Sequence, residues 1–139
     1  MNWIVAGLIG GVGAFFADFV MWGKVFTKGM EQYGTMAATP EEGKKMMAAN
    51  MPKAAGLALL FGLLLACFYA RLRGGLWVQG GGPLAGMEFA TMLWLCTIAL
   101  QTLGSGVWYD KLRRMNKATF WSWLVRMNVA GLLIGLLLK

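Results

Sequence analysis

The segment Lys53–Arg73 constrains this chain most, because residues 54–70 within it carry no charge and cations stand at both ends. A helix of about twenty residues crosses a hydrocarbon layer of ~30 Å. Small residues recur along it at every fourth position, the spacing of one ridge on a helix: Ala54, Ala58, Gly62, Ala66 and Ala70. Such a ridge lets a second helix approach closely, although small residues are also frequent in membrane helices generally.

The composition extends the same interpretation to the whole chain. Of 139 residues, 58% are hydrophobic and only 14% are charged, whereas soluble domains carry about 25% charged residues. The net charge of +7 comes from cations in the gaps between apolar runs, as in membrane proteins. No basic patch is interleaved with aromatics on a soluble domain, so we expect no nucleic-acid partner.

Histidine is absent from the sequence. This absence excludes a His-ligated haem, a His-based catalytic triad and a zinc-hydrolase motif. Nothing else in the sequence pairs a nucleophile with a base. We therefore expect no enzyme activity, no catalytic residue, no metal and no cofactor.

Four apolar runs predict an all-α, integral membrane four-helix bundle, formed as a single domain over residues 1–139. The helices are expected at about 3–23, 53–72, 84–107 and 118–138. Two of them contain a GxxxG pair, which favours helix packing in membranes: Gly7 with Gly11, and Gly131 with Gly135.

A capping box begins at Thr39, where Pro40 suits the first helical position and Glu42 stands three residues after the cap. It predicts a short amphipathic helix at about 40–50, lying at the membrane interface. Pro52 should break or kink the chain before the second membrane helix.

The lysines and arginines between the helices predict the orientation of the chain. Four crossings place nine cations on one side: Lys24, Lys28, Lys44, Lys45, Lys53, Lys111, Arg113, Arg114 and Lys117. The opposite side has three: Arg71, Arg73 and Lys139. Because positive loops stay in the cytoplasm, we expect both termini outside it, in a bacterial inner membrane.

Three charged residues fall inside predicted membrane helices, where charge is costly and often functional: Asp18, Arg126 and Glu88. Glu88 stands near the outer end of the third helix, close enough to reach the interface. Asp18 and Arg126 lie roughly 7 and 12 Å inside the same edge, at ~1.5 Å per residue. They are predicted to pair, or to share an intramembrane polar cluster with Asn128 and Gln101. The alternative is that Arg126 extends to the headgroups while Asp18 meets Lys24 or the loop.

Sulfur-containing residues leave two further alternatives open. Cys67 and Cys96 both lie in apolar runs, which favours buried free thiols over a disulfide. Methionines cluster early in the chain: Met21, Met30, Met36, Met46, Met47 and Met51. Thioethers suit Cu(I), but the apolar face of an amphipathic helix explains the cluster without metal.

The opening residues carry a resemblance to a known family. Met1-Asn2-Trp3, an apolar helix and then Trp22-Gly23-Lys24-Val25-Phe26 resemble the start of the domain of unknown function 1761 family of small bacterial membrane proteins. The likeness extends through Met92-Leu93-Trp94 to the last helix. It implies a four-helix protein of about this length and brings no activity. Asp18 and Gly23 depart from the pattern, which has a small or apolar residue and a Tyr there.

These observations predict a helix-packing subunit of a homo-oligomer or a larger membrane complex, with membrane lipids, itself or other membrane proteins as partners. The small-residue surface motivates this hypothesis, because it exceeds what one bundle obviously needs. The alternative is a small oligomeric transporter or channel whose path is lined by Asp18 and Arg126. A membrane carboxylate such as Asp18 can carry a proton or hold a cation.

Overall fold

The computed structural model describes residues 2–26 and 39–138, and within those ranges all regular structure is helical. The α-helices are α1 (Trp3–Val20), α2 (Pro40–Leu72), α3 (Pro83–Trp94), α4 (Leu100–Trp108) and α5 (Arg113–Leu137). π-Helical turns extend α1 over Met21–Val25 and join α3 to α4 over Leu95–Ala99. The described chain therefore contains four continuous helices long and apolar enough to cross a membrane. This confirms the predicted all-α, four-helix class.

Helix α2 differs from the prediction, because the separate helix at 40–50 and the second membrane helix form one helix of 33 residues. Its start follows the capping box, since the Glu42 N–H donates to Thr39 Oγ1 at 3.3 Å. The predicted break at Pro52 does not occur. A proline removes one backbone hydrogen bond, here to Ala48, while the surrounding Ala, Met and Lys residues favour a helix.

The third helical rod is continuous from α3 to α4 through the π-helical turns, as the single predicted helix requires. Hydroxyl groups within and just after this junction bond to the preceding turn. Thr97 Oγ1 donates to the Leu93 carbonyl at 2.6 Å, and Thr102 Oγ1 donates to the Ile98 carbonyl at 2.7 Å. Helix α5 begins at Arg113, about one turn before the predicted start at 118.

The helices form a bundle in which α1 packs against α2 and α5, and α5 also packs against α3. Helices α2 and α3 meet through Tyr69 and Phe89, whose ring centroids are 5.7 Å apart. At the same end of the bundle, Arg73 Nη1 donates to the Leu138 carbonyl at 2.8 Å. Because a cation stabilises a helix C-terminus, Arg73 ties the end of α2 to the end of α5.

The loop between α2 and α3 is held by a carboxylate. Glu88 of α3 accepts hydrogen bonds from the backbone N–H groups of Trp77 and Val78, at 2.7 and 2.8 Å. Three glycines with positive φ, Gly80, Gly81 and Gly82, then turn the chain into α3. Glu88 was predicted near the outer end of its helix, and here it fixes the path of this loop.

Candidate functional site

The candidate site is an ion pair between α1 and α5. Arg126 Nη1 donates to Asp18 Oδ2 at 2.5 Å, and the side chains are 13% and 27% exposed, respectively. The two residues lie in the half of the bundle that holds the end of α1 and the start of α5. A partly buried ion pair requires good geometry to be stable, because each charge loses part of its hydration when it is buried.

The guanidinium of Arg126 also lies over two aromatic rings. Its Cζ lies 4.4 Å from the ring centroid of Trp123 on α5 and 4.8 Å from that of Phe61 on α2. The two rings contact each other edge to face, with centroids 5.9 Å apart. Arg126 Nε is buried and has no hydrogen-bond partner among the described residues. The cation is therefore held by one carboxylate and by π faces, and it links three helices.

A pocket of about 350 Å³ adjoins the ion pair. Its walls are mostly apolar or aromatic and come from α1, its π-helical extension and α2: Phe15, Phe19, Trp22, Met51, Ala54 and Leu57. Among the described residues that line it, only Asp18 and Arg126 are charged. The partly exposed carboxylate can therefore be approached from this pocket.

The other two members of the predicted polar cluster lie elsewhere. Asn128 Oδ1 accepts a hydrogen bond from Thr91 Oγ1 of α3 at 3.1 Å, and its amide donates to the Leu124 carbonyl of its own helix. Gln101 lies on the exposed side of α4. Asp18 and Arg126 are brought together, whereas Asn128 instead links α5 to α3.

The predicted helix-packing residues mostly face one another inside the chain. A Cβ on Gly11 would lie 2.6 Å from the Ala58 carbonyl oxygen, and one on Gly7 would lie 3.2 Å from the Ala66 Cβ. A Cβ on Gly62 would overlap backbone atoms of both α1 glycines. The middle of the α2 ridge is thus buried against the GxxxG pair of α1, whereas Ala54 and Ala70 at its ends are exposed.

The second GxxxG pair has partners that the sequence analysis missed. Gly131 and Gly135 of α5 meet Gly86 of α3, and a Cβ on Gly131 would lie 2.7 Å from the Ala90 Cβ. Gly82, Gly86 and Ala90 are spaced by four, so the same small-residue pattern was present on α3. Phe61 had no comparable signal, whereas Trp123 stands three residues before Arg126, a spacing at which two side chains share one face of a helix.

Both cysteines are free thiols, and Cys96 is exposed rather than buried. Among the described residues, no three His, Cys, Asp or Glu side chains come together as a metal site would require. The methionine cluster is described only in part, because Met30 and Met36, like Lys28, lie in residues 27–38, outside the described ranges.

Comparison with family models, curated proteins and solved structures gives no match to this chain. The resemblance to the domain of unknown function 1761 family stays a prediction.

Proposed function

We propose that this chain is a non-enzymatic integral membrane protein that acts as a helix-packing subunit of a homo-oligomer or a larger membrane complex. Four helices of suitable length and apolarity support insertion. Their outward faces are rich in large apolar side chains, and Leu57, Leu60 and Leu64 of α2 are 65%, 52% and 49% exposed. Such a surface is unfavourable in water and suits a lipid environment.

The proposed location is a bacterial inner membrane with both termini outside the cytoplasm. The antiparallel helices place the end of α1, the start of α2 and the α4–α5 connection at one end of the bundle. The described cations follow that division: Lys24, Lys44, Lys45, Lys53, Lys111, Arg113, Arg114 and Lys117 belong to this end, and Arg71 and Arg73 to the other. The basic end is therefore assigned to the cytoplasm.

The observation that carries the subunit proposal is the length of α2. At ~1.5 Å per residue, its 33 residues span about 50 Å, whereas the hydrocarbon layer needs ~30 Å. Every residue from Lys44 to Asn50 is exposed, and Met46 and Met47 are 41% and 53% exposed. A segment as short as 40–53 would be only marginally stable as a helix in water if nothing packed against it. The segment 40–53, here called the α2 extension, therefore needs a surface to pack against.

The small residues now give less support to this proposal than the sequence indicated. Gly7, Gly11, Gly131 and Gly135 are occupied by contacts within the bundle. We therefore propose the α2 extension and the exposed Ala54, rather than these glycines, as the surface that contacts a partner. The predicted interfacial helix would instead place residues 40–50 on the membrane surface, which requires a bend that α2 does not have at Pro52.

The test is photo-crosslinking in the native membrane from single positions that carry a photoreactive amino acid. Met47 is the test site, and Met92 on α3 is the matched control, because both are exposed methionines (53% and 42%) on different helices. Crosslinks to a discrete protein band from position 47 but not from position 92 support the subunit. Lipid adducts alone from position 47 would favour the interfacial helix and count against the subunit.

One observation favours the second candidate, a small oligomeric transporter or channel. The Asp18 carboxylate is partly exposed in a pocket walled by aromatic side chains, an arrangement that suits a lipophilic cation. Arg126 already neutralises this carboxylate, so binding would require the pair to separate. Flux in proteoliposomes that is lost in Asp18→Asn supports the transporter, and absence of flux in the intact protein rejects it.

A further inference from the structure

A second pocket, of about 550 Å³, lies between α4 and α5 at the basic end of the bundle and shares no lining residue with the pocket beside the Asp18–Arg126 pair. Its rim carries two cations from the first turns of α5, Arg113 and Lys117. They are four residues apart and therefore share one face of the helix. Both are exposed, and no acidic side chain is among the described residues that line the pocket. The pocket therefore presents two positive charges on one face.

The walls of this pocket are apolar. Leu103 and Val107 of α4 are 60% and 79% exposed, so they offer open apolar surface beside the cations. Phe120 of α5 forms the opposite wall. Its ring packs edge to face on Trp94, with centroids 4.5 Å apart, and Trp94 Nε1 donates to the Phe120 carbonyl at 3.1 Å. These contacts hold the Phe120 wall in place. This wall lies further along α5 from its start than Arg113 and Lys117 do.

Polar contacts hold the two helices at this separation. Asn116 Nδ2 donates to Ser105 Oγ at 2.8 Å, and Ser105 Oγ donates to the Thr102 carbonyl at 3.1 Å. Gly106 faces this junction, and a Cβ built on it would come no closer than 4.0 Å to Asn116. Because Gly106 has no side chain, the space between α4 and α5 stays open.

We propose that this pocket, here called the α4–α5 pocket, binds an anionic phospholipid, with the phosphate headgroup at Arg113 and Lys117 and an acyl chain along Leu103 and Val107. The inference rests on the proposed membrane insertion and on the assignment of the basic end to the cytoplasm. The inner leaflet of such a membrane supplies anionic headgroups at this depth. Cations at the rim with apolar walls below match an amphiphile better than a free anion, which would leave the walls unused.

The test is native mass spectrometry of the protein titrated with phosphatidylglycerol, with phosphatidylcholine as the zwitterionic reference lipid. The double substitution Arg113→Gln with Lys117→Gln removes the rim charges. Each cation near an anionic surface contributes ~1 kcal/mol, so the double variant is expected to bind phosphatidylglycerol roughly 30-fold more weakly. The double substitution Lys24→Gln with Arg71→Gln is the matched control, because it removes two exposed charges that lie outside the pocket and outside the α2 extension and should leave binding unchanged.

Two further variants separate a built site from general charge attraction. Gly106→Leu fills the pocket and keeps both cations, and it should weaken binding of phosphatidylglycerol. Arg113→Lys keeps the charge and should retain most of the binding. Equal phosphatidylglycerol affinity in the Arg113/Lys117 double variant and in the Lys24/Arg71 control would overturn the proposal. Competition by inorganic phosphate as strong as by the lipid would also overturn it, since the ligand would then be a free anion.

Failure of this inference is distinguishable from failure of the proposed function. Extraction of the protein from membranes by alkali would reject membrane insertion whatever the lipid result. Resistance to alkali together with equal binding of both lipids would reject the lipid site alone. Circular dichroism of each variant confirms that lost binding does not reflect lost helix.

Discussion

Gly62 of α2 packs against Gly7 of α1 so closely that a methyl group on Gly62 would overlap backbone atoms of α1. Gly11 completes the contact, since a Cβ on it would lie 2.8 Å from Leu59 Cα. The first two helices are therefore joined backbone to backbone, and the ridge identified in the sequence is occupied within the chain. Close packing of this kind is a principal source of helix association in lipid.

Gly62→Ala is predicted to destabilise the bundle by about 1–3 kcal/mol, the usual cost of overpacking a tight interface. Gly56→Ala is the matched control on the same helix, because a Cβ there meets nothing within 4 Å. The control should be neutral, or more stable by up to ~1 kcal/mol, because alanine favours a helix. Unfolding in mixed micelles, followed by tryptophan fluorescence, measures both. Equal effects of the two substitutions would contradict the close contact.

The Asp18–Arg126 pair is predicted to make the two residues energetically dependent on each other. Removing one partner leaves the other charge buried, so Asp18→Asn or Arg126→Gln should each cost about 3 kcal/mol. The double variant should cost less than the sum of the single losses by ~1 kcal/mol or more. A double-mutant cycle on the free energy of unfolding checks this. Strictly additive losses would mean that the contact contributes nothing.

Arg126→Lys is predicted to keep the charge but lose the contact of the guanidinium with the rings of Phe61 and Trp123. A lysine ammonium lacks the planar guanidinium that lies against both rings. The expected loss is about 1 kcal/mol, smaller than that of Arg126→Gln, with a change in Trp123 fluorescence. Arg71→Lys, at an exposed position, serves as the control and should be neutral. If Arg126→Lys were also neutral, the rings would be packing neighbours only.

Glu88→Gln is predicted to loosen the loop between α2 and α3. The carboxylate accepts both backbone N–H groups of Trp77 and Val78, and a neutral amide is a weaker acceptor with only one oxygen. A net loss of about 1 kcal/mol per hydrogen bond corresponds to roughly fivefold faster exchange of these two amides. Hydrogen exchange by NMR measures it, with Glu42→Gln as an exposed control. Unchanged protection at Trp77 and Val78 would show that the loop does not depend on Glu88.

The sequence predicted the four helices because each is a long apolar run, and this pattern depends little on tertiary contacts. It also placed Asp18 and Arg126 near one edge, because depth along a helix follows from residue count. The sequence did not predict the ring partners of Arg126, because these depend on the rotation of each helix about its own axis. Phe61 is one of many apolar residues on α2, and nothing in the sequence singles it out.

The remaining differences have local physical reasons. Pro52 indicated a break, but the residues around it favour a helix strongly enough to continue through one missing hydrogen bond. Asn128 was grouped with the ion pair because it lies two residues after Arg126. Two residues on a helix point about 200° apart, and Asn128 accordingly contacts Thr91 of α3. The partners of Gly131 and Gly135 were not predicted, because a GxxxG pair favours close packing without specifying which helix it contacts.

Extraction from the native membrane in mild detergent, followed by native mass spectrometry, tests the subunit proposal most directly. The account predicts a species heavier than the single 15.2 kDa chain, containing further copies or other proteins in a fixed ratio. Met47→Ser, in the α2 extension, should shift that species toward the single chain, whereas Met92→Ser should leave it intact. Recovery of the unmodified protein only as a single chain would contradict the subunit proposal.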